Sequence, residues 1–184
     1  MRVIAGRFRR RVLKPPTWDG LRPTSDSLRE TLFNVLGPTL TGARVMDAFA
    51  GTGAVGLEAL SRGAVDVVFV EHDARAISLL KRNIAHCRAG KACAIIRDDF
   101  MTPRGQWSEP QARYDLVFLD PPYEIPAIET VLIAAAARAA PGGKIVMEHS
   151  RRRNLPDTVP GAVQYRVLEA GDSALSFYTA HEGA

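Results

Sequence analysis

Between residues 44 and 56 an apolar run leads directly into three spaced glycines, and this junction limits the available folds more than any other feature of the chain. Residues 44–49 (RVMDAF) read as a buried strand. Gly51, Gly53 and Gly56 follow with the spacing G-x-G-x-x-G, and residues 53–62 carry a helical pattern that Gly63 ends. Glycines at such positions let the backbone turn sharply and let a ligand approach it closely. A strand, a glycine turn and a helix form the opening unit of a parallel α/β sheet.

The pattern then repeats. Residues 66–71 (DVVFVE) predict a second strand. Asp73 is placed to cap a helix running to about residue 87, with Ala76, Leu79, Leu80, Asn83 and Ile84 along one face. Strands follow at 92–97, 114–120 and 144–149, with an alanine-rich helix over 128–140 closed by Pro141-Gly142-Gly143. The strand cores are almost continuously apolar, as expected when helices cover both faces of a parallel sheet. Residues 163–169 and 173–179 break the pattern, because the tight turn between them predicts a hairpin. The expected fold is α/β and Rossmann-like. Its seven-stranded, mostly parallel sheet ends in a C-terminal antiparallel hairpin, the layout of class I S-adenosylmethionine-dependent methyltransferases.

The first 40 residues read as an extension, with residues 41–184 forming the main domain. Val3-Ile4-Ala5 and Val12-Leu13 suit a small hairpin around Gly6. A helix follows from about residue 27, where Ser27 and Glu30 have capping-box spacing. Arg2, Arg7, Arg9, Arg10, Arg11 and Lys14 lie in this extension with no acid among them before residue 15, and Phe8 sits inside the run. Such a block suits phosphate contact, although a solvated arm would have the same composition. Arg151, Arg152 and Arg153 form a second, shorter basic cluster in a chain of net charge +4.

Several classes are disfavoured. Cys87 and Cys93 have no metal-ligand spacing and read as free thiols, and the four histidines form no ligand pair, so no metal is expected. No apolar run approaches the ~18 residues of a membrane span. The basic N-terminus lacks the apolar segment of a secretory signal, so the cytoplasm is the expected location and no membrane partner is expected.

The glycine loop alone does not separate a dinucleotide from S-adenosylmethionine. Two features favour the latter. Asp47 lies inside the strand, where it can face the amino-acid end of S-adenosylmethionine but would repel a pyrophosphate. Asp98-Asp99-Phe100 follows the third strand, where an acid can receive an adenine amino group and Phe100 can pack on the ring. Glu71 ends the second strand, 20 residues after Gly51, where a carboxylate can accept from both ribose hydroxyls. The expected cofactor contacts are therefore Asp47, Phe49, Ala50, Gly51, Thr52, Gly53, Glu71, His72, Asp99 and Phe100.

Asp120-Pro121-Pro122-Tyr123 closes the fourth strand, at the sheet edge where α/β proteins bind ligands. An exocyclic base amine is a poor nucleophile because its lone pair is delocalised into the ring. Two acceptors, the Asp120 carboxylate and the Pro121 carbonyl, can hold its two N–H bonds and aim the lone pair at a methyl carbon. The two prolines keep the backbone extended, and Tyr123 can stack on a base taken out of its helix. These four residues are the expected catalytic group. The motif serves an amine of RNA or an adenine N6 of DNA equally well. A non-catalytic RNA-binding relative and a nicotinamide-dependent reductase are further alternatives, the last disfavoured by the absence of a catalytic Tyr/Lys or His pair.

The sequence resembles the RsmD type of bacterial 16S ribosomal RNA (guanine(966)-N2)-methyltransferase. The resemblance rests on Met1-Arg2-Val3-Ile4-Ala5-Gly6, on Leu21-Arg22-Pro23-Thr24 leading to Arg29-Glu30-Thr31-Leu32-Phe33-Asn34, on the glycine loop and the Leu57-Glu58-Ala59-Leu60-Ser61-Arg62-Gly63-Ala64 that follows it, on Glu71, and on Asp120-Pro121-Pro122-Tyr123. It implies methylation of a guanine N2 in small-subunit ribosomal RNA, within the subunit or an assembly intermediate; a monomer is expected. It also implies RNA contact through the N-terminal segment, with Arg22, Thr24 and Arg29 near the mouth of the site beside Arg2, Arg7, Arg9, Arg10 and Arg11.

Overall fold

A computed structural model describes residues 1–18, 24–103 and 113–181. The chain forms two compact units, Met1–Asp99 and Phe100–Ala184. The N-terminal segment packs into the first unit, because its backbone is bound to two helices of that unit.

In the first unit, α1 (Asp26–Leu36) precedes two β–α alternations and a third strand: β1 (Arg44–Ala48), α2 (Ala54–Ser61), β2 (Asp66–Glu71), α3 (Ala74–Cys87) and β3 (Cys93–Arg97). The strands lie in the order β3-β2-β1, all parallel, with Asp47 beside Phe69 and Phe69 beside Ile95. Side chains cap α1 and α3. Asp73 accepts the backbone N–H groups of Arg75 and Ala76 at the start of α3. At α1 the cap is Ser25, whose hydroxyl accepts from Leu28 N at 3.1 Å. The helix thus begins before Ser27, and the expected capping box does not form.

All eight residues of α2 are buried. One side faces β1 and β2, and the N-terminal segment covers another. That segment is the anticipated hairpin in outline. Val3 N donates to Arg11 O at 2.9 Å, Arg10 N to Val3 O at 2.9 Å and Leu13 N to Met1 O at 3.2 Å, with one antiparallel bridge between Arg2 and Val12. Val3, Phe8 and Leu13 point inward and are buried.

The second unit holds β4 (Tyr114–Leu119), α4 (Ile128–Ala136), β5 (Ala139–Ser150), β6 (Thr158–Val159), β7 (Ala162–Ala170) and β8 (Ser173–Ala180), with strands in the order β4-β5-β8-β7-β6. β4 and β5 are parallel, and β8, β7 and β6 join antiparallel. The terminal hairpin is therefore present. The two-residue β6 adds an eighth strand, too short to leave a pattern in the sequence. α4 ends four residues earlier than its alanine run suggested. Tyr114 N donates to Arg138 O at 3.0 Å, and Tyr114 pairs with Ala139, so the sheet takes residues whose propensity alone favours helix. Among the described residues, no helix is long and apolar enough to cross a membrane.

Candidate functional site

The glycine loop is held in shape by two carboxylates. β1 carries Asp47 into the interior, where it is 2% exposed, and its Oδ2 accepts from Gly56 N at 2.9 Å. Glu71, at the end of β2, reaches back so that its Oε2 accepts from Gly51 N at 2.9 Å. Its Oε1 accepts from His72 N at 2.8 Å and Asp73 N at 2.9 Å. Between these contacts the backbone turns through left-handed conformations at Phe49 (φ 68°), Gly51 (φ 53°) and Gly53 (φ 76°). Phe49 is a side-chain-bearing residue in a region that costs about 1–2 kcal/mol, so the surrounding bonds must impose the turn. At Gly56 a Cβ would lie 2.4 Å from Phe69 Cε1, so only glycine lets α2 pack this closely on β2.

Burial places Asp47 under strain. Loss of solvent, with the nearby Glu71 charge adding to it, raises the Asp47 carboxyl from 3.8 to about 7, and the Gly56 N–H only partly opposes this. Gly56 N is its one hydrogen-bond donor among the described residues. A buried acid of this kind next to a glycine turn suits a cationic ligand group, which would supply the missing counter-charge.

Sequence reasoning overlooked two polar side chains that shape this region. Asn83 on α3 is fully buried. Its Nδ2 donates to Thr52 O at 2.9 Å and to Lys14 O at 3.2 Å, and its Oδ1 accepts from Lys14 N at 2.8 Å. Glu58 on α2 is also fully buried. It accepts from Ile4 N at 2.7 Å, Ala5 N at 3.0 Å and Arg62 Nε at 2.7 Å. In both cases the available signal was a polar residue inside an otherwise apolar helical stripe.

The remaining cofactor expectations divide. His72 is exposed, with its ring Nδ1 3.5 Å from Glu71 Oε1. Asp99 is exposed, and its N–H donates to Asp98 Oδ1 at 2.8 Å. Phe100 does not offer an open ring face. It is 2% exposed in the second unit, with the Arg138 guanidinium 5.4 Å from its centroid. An apolar ring at a strand end buries itself when such cover is within reach.

The expected RNA contacts also separate. Arg2, Arg7, Arg9 and Arg10 are exposed on the N-terminal segment. Arg11 lies over Phe8 and donates to His86 O at 3.2 Å. Arg22 lies outside the described residues. Thr24 is buried, and Arg29 is 0% exposed. Arg29 donates to Arg2 O at 2.8 Å and pairs with Asp26 at 2.5 Å, with Glu58 3.8 Å away. It cannot reach an external phosphate. Its charge holds α1 and the N-terminal segment together.

In the second unit Asp120 follows β4 half-buried, Pro121 is buried and Pro122 is exposed. Ile125 N donates to Pro122 O at 3.0 Å, which closes a turn. Tyr123 is 40% exposed, leaving a ring face available. Its hydroxyl lies 2.6 Å from Ser173 Oγ and 3.4 Å from Glu148 Oε1, and its carbonyl accepts from Arg153 Nη1 at 3.0 Å. Burial raises the Tyr123 hydroxyl above its ordinary value, while the Ser173 bond pulls the other way.

The solved structure of yhhF from Escherichia coli matches with a TM-score of 0.83 at 34% identity, covering 98% of each chain. An RNA methyltransferase from Salinibacter ruber, solved with S-adenosyl-L-homocysteine, matches in fold alone, with a TM-score of 0.67 at 14% identity over 89% of this chain and 96% of that one. The fold is that of the class I methyltransferases. The family model described as Conserved hypothetical protein 95 matches residues 1–179. Ribosomal RNA small subunit methyltransferase D of Escherichia coli is 36% identical over 180 residues, covering 97% of this chain and 89% of that protein. YlbH of Bacillus subtilis is 35% identical over 97% of this chain and 98% of its own length. The chain belongs to this family, the RsmD family.

Proposed function

We propose that this protein is an S-adenosylmethionine-dependent ribosomal RNA methyltransferase, and that it modifies the exocyclic N2 amine of a guanine in small-subunit RNA. The observation that carries the reading is the paired-carboxylate glycine loop, with Asp47 buried and lacking a counter-charge beside Gly51 and Gly53, in a chain of this family. The residues present fit the cofactor. Asp47 would hold its ammonium, the loop backbone at residues 49–53 would take its amino-acid part, Glu71 and His72 its ribose and Asp99 its adenine. When bound, S-adenosylmethionine supplies a methyl group made electrophilic by its sulfonium.

The chain's own contribution is positioning and electrostatics. The Asp120 carboxylate and the Pro121 carbonyl accept the two N–H bonds of the amine. This weakens conjugation with the ring and directs the nitrogen lone pair outward. Tyr123, held at its hydroxyl by Ser173, offers a fixed ring for the base to stack on. Asp120 takes up the proton that the nitrogen releases. The exposed arginines of residues 1–40 contact RNA phosphates, within the small subunit or an assembly intermediate in the cytoplasm, and the protein acts as a monomer.

The test supplies methyl-labelled S-adenosylmethionine with naked small-subunit RNA, isolated small subunits, intact ribosomes or DNA, followed by mapping of the modified base. Label at a guanine N2 of small-subunit RNA is the expected result. Label confined to DNA, or found on an adenine, would overturn the substrate assignment.

A further inference from the structure

We propose that Arg151 and Arg152 form a second phosphate-binding ridge, which grips the RNA backbone beside the nucleotide that Tyr123 receives. The inference rests on the proposed RNA substrate and extends it to a second group of arginines.

The ridge lies on a turn whose backbone is fixed on both sides. Arg153 N donates to Ser150 O at 2.9 Å, Arg152 N to Ser150 Oγ at 3.3 Å and Arg151 N to Asp172 O at 2.9 Å. Ser150 is paired with Ser173 across β5 and β8, and Ser173 holds the Tyr123 hydroxyl. Arg153 completes the link by donating to the Tyr123 carbonyl. The three arginines therefore divide their roles. Arg153 ties the turn to the Asp-Pro-Pro-Tyr segment, and Arg151 and Arg152 are left exposed beside it.

Neither exposed guanidinium has a hydrogen-bond or ion-pair partner among the described residues, although the carboxylates of Asp172 and Glu124 belong to the neighbouring segments. Adjacent cations without a paired acid repel each other and attract a polyanion. Arginine at such a place suits phosphate oxygens through its planar fork of donors. Contacts of this type set the register of a nucleic acid without reading its sequence. A ridge tied to Tyr123 would thus fix where the strand lies when a base leaves its stack.

The experiment measures binding of an unmodified small-subunit RNA transcript by fluorescence anisotropy across a salt series, together with methylation kinetics on the transcript and on unmethylated small subunits. Arg151→Gln with Arg152→Gln is expected to weaken binding about tenfold at ~0.15 M salt and to lower the salt slope by about 1.5, as two lost phosphate contacts require. The rise should appear in KM, with kcat at saturating RNA and cofactor affinity nearly unchanged. The corresponding pair of lysine substitutions should restore most of the affinity, because charge is kept. Lys81→Gln with Arg82→Gln on α3 removes the same charge elsewhere and should have little effect. Unchanged affinity in the arginine pair, or an equal loss in the α3 pair, would overturn the ridge. A wild-type protein that binds the transcript but methylates another base would overturn only the guanine assignment, since the binding arm still reads the ridge. Failure of the wild type to bind RNA would overturn both.

Discussion

The Asn83 carboxamide and the Thr52 carbonyl, 31 residues apart in sequence, meet at 2.9 Å in the interior of the first unit. The same side chain holds the backbone of Lys14 in both directions, so one residue ties the basic N-terminal segment to the glycine loop. Asn83→Leu keeps the approximate shape but strands two carbonyls and one N–H. The expected cost is about 1–3 kcal/mol for each buried group left unsatisfied. For a chain of this size that corresponds to a fall in Tm of roughly 2–4 °C per kcal/mol, read by calorimetry. S-adenosylmethionine binding, measured by titration calorimetry, should weaken in the same variant because Thr52 is no longer held.

Asp47 predicts an unusual pH dependence. Its carboxyl titrates near 3.8 when unfolded and near 7 when folded, chiefly through burial. Between those values the native state binds more protons than the unfolded one, so stability falls as pH rises from about 4 to about 7 and then levels off. Asp47→Asn retains an oxygen for the Gly56 N–H and removes the charge. Thermal melts should show this variant gaining on the wild type across that window, by up to a few kcal/mol, while cofactor affinity drops. Parallel pH profiles for the two proteins would contradict the assignment.

Asp120→Ala should leave the fold and cofactor binding nearly intact. Transfer should fall by at least about 10²–10³ in kcat, the usual consequence of removing one preorganised acceptor. Single-turnover assays with labelled cofactor, paired with calorimetric binding, separate the two effects. Full turnover would remove the proposed mechanism.

Glu58→Ala tests how the N-terminal segment is held. The substitution leaves the fully buried Arg29 without its nearest interior carboxylate and frees the N–H groups of Ile4 and Ala5. Breaking a buried ionic contact on one side costs about 3–5 kcal/mol. Hydrogen exchange should accelerate first in residues 1–14, and Glu58→Gln, which keeps one acceptor oxygen, should fall between the wild type and Ala.

Much of the fold was legible from local pattern. Apolar runs of strand length, the Asp73 cap and the tight turn before Ser173 each depend on stereochemistry within a few residues, and each element appears within a few positions of its expected place. The glycine loop was legible for the same reason, since its positive-φ turns and the close packing at Gly56 depend on the absence of a side chain. The end of α4 was not. Ala137 and the residues after it favour helix locally, and only pairing with Tyr114 draws Ala139 into β5.

The sequence by itself therefore determined the alternation of elements, the glycine turn after β1, the acids at the ends of β1 and β2, and the Asp-Pro-Pro-Tyr segment after β4. Tertiary structure alone decided what the charged and polar side chains do. Arg29 reads as a surface arginine and is buried; Glu58 and Asn83 read as imperfections in apolar stripes and hold the N-terminal segment; Phe100 reads as an open ring and is covered. The physical reason is range. Backbone preference is settled among near neighbours, whereas a buried charge or amide is stable only if distant segments bring it partners, and those of Glu58 and Asn83 lie 53 to 69 residues away in the N-terminal segment.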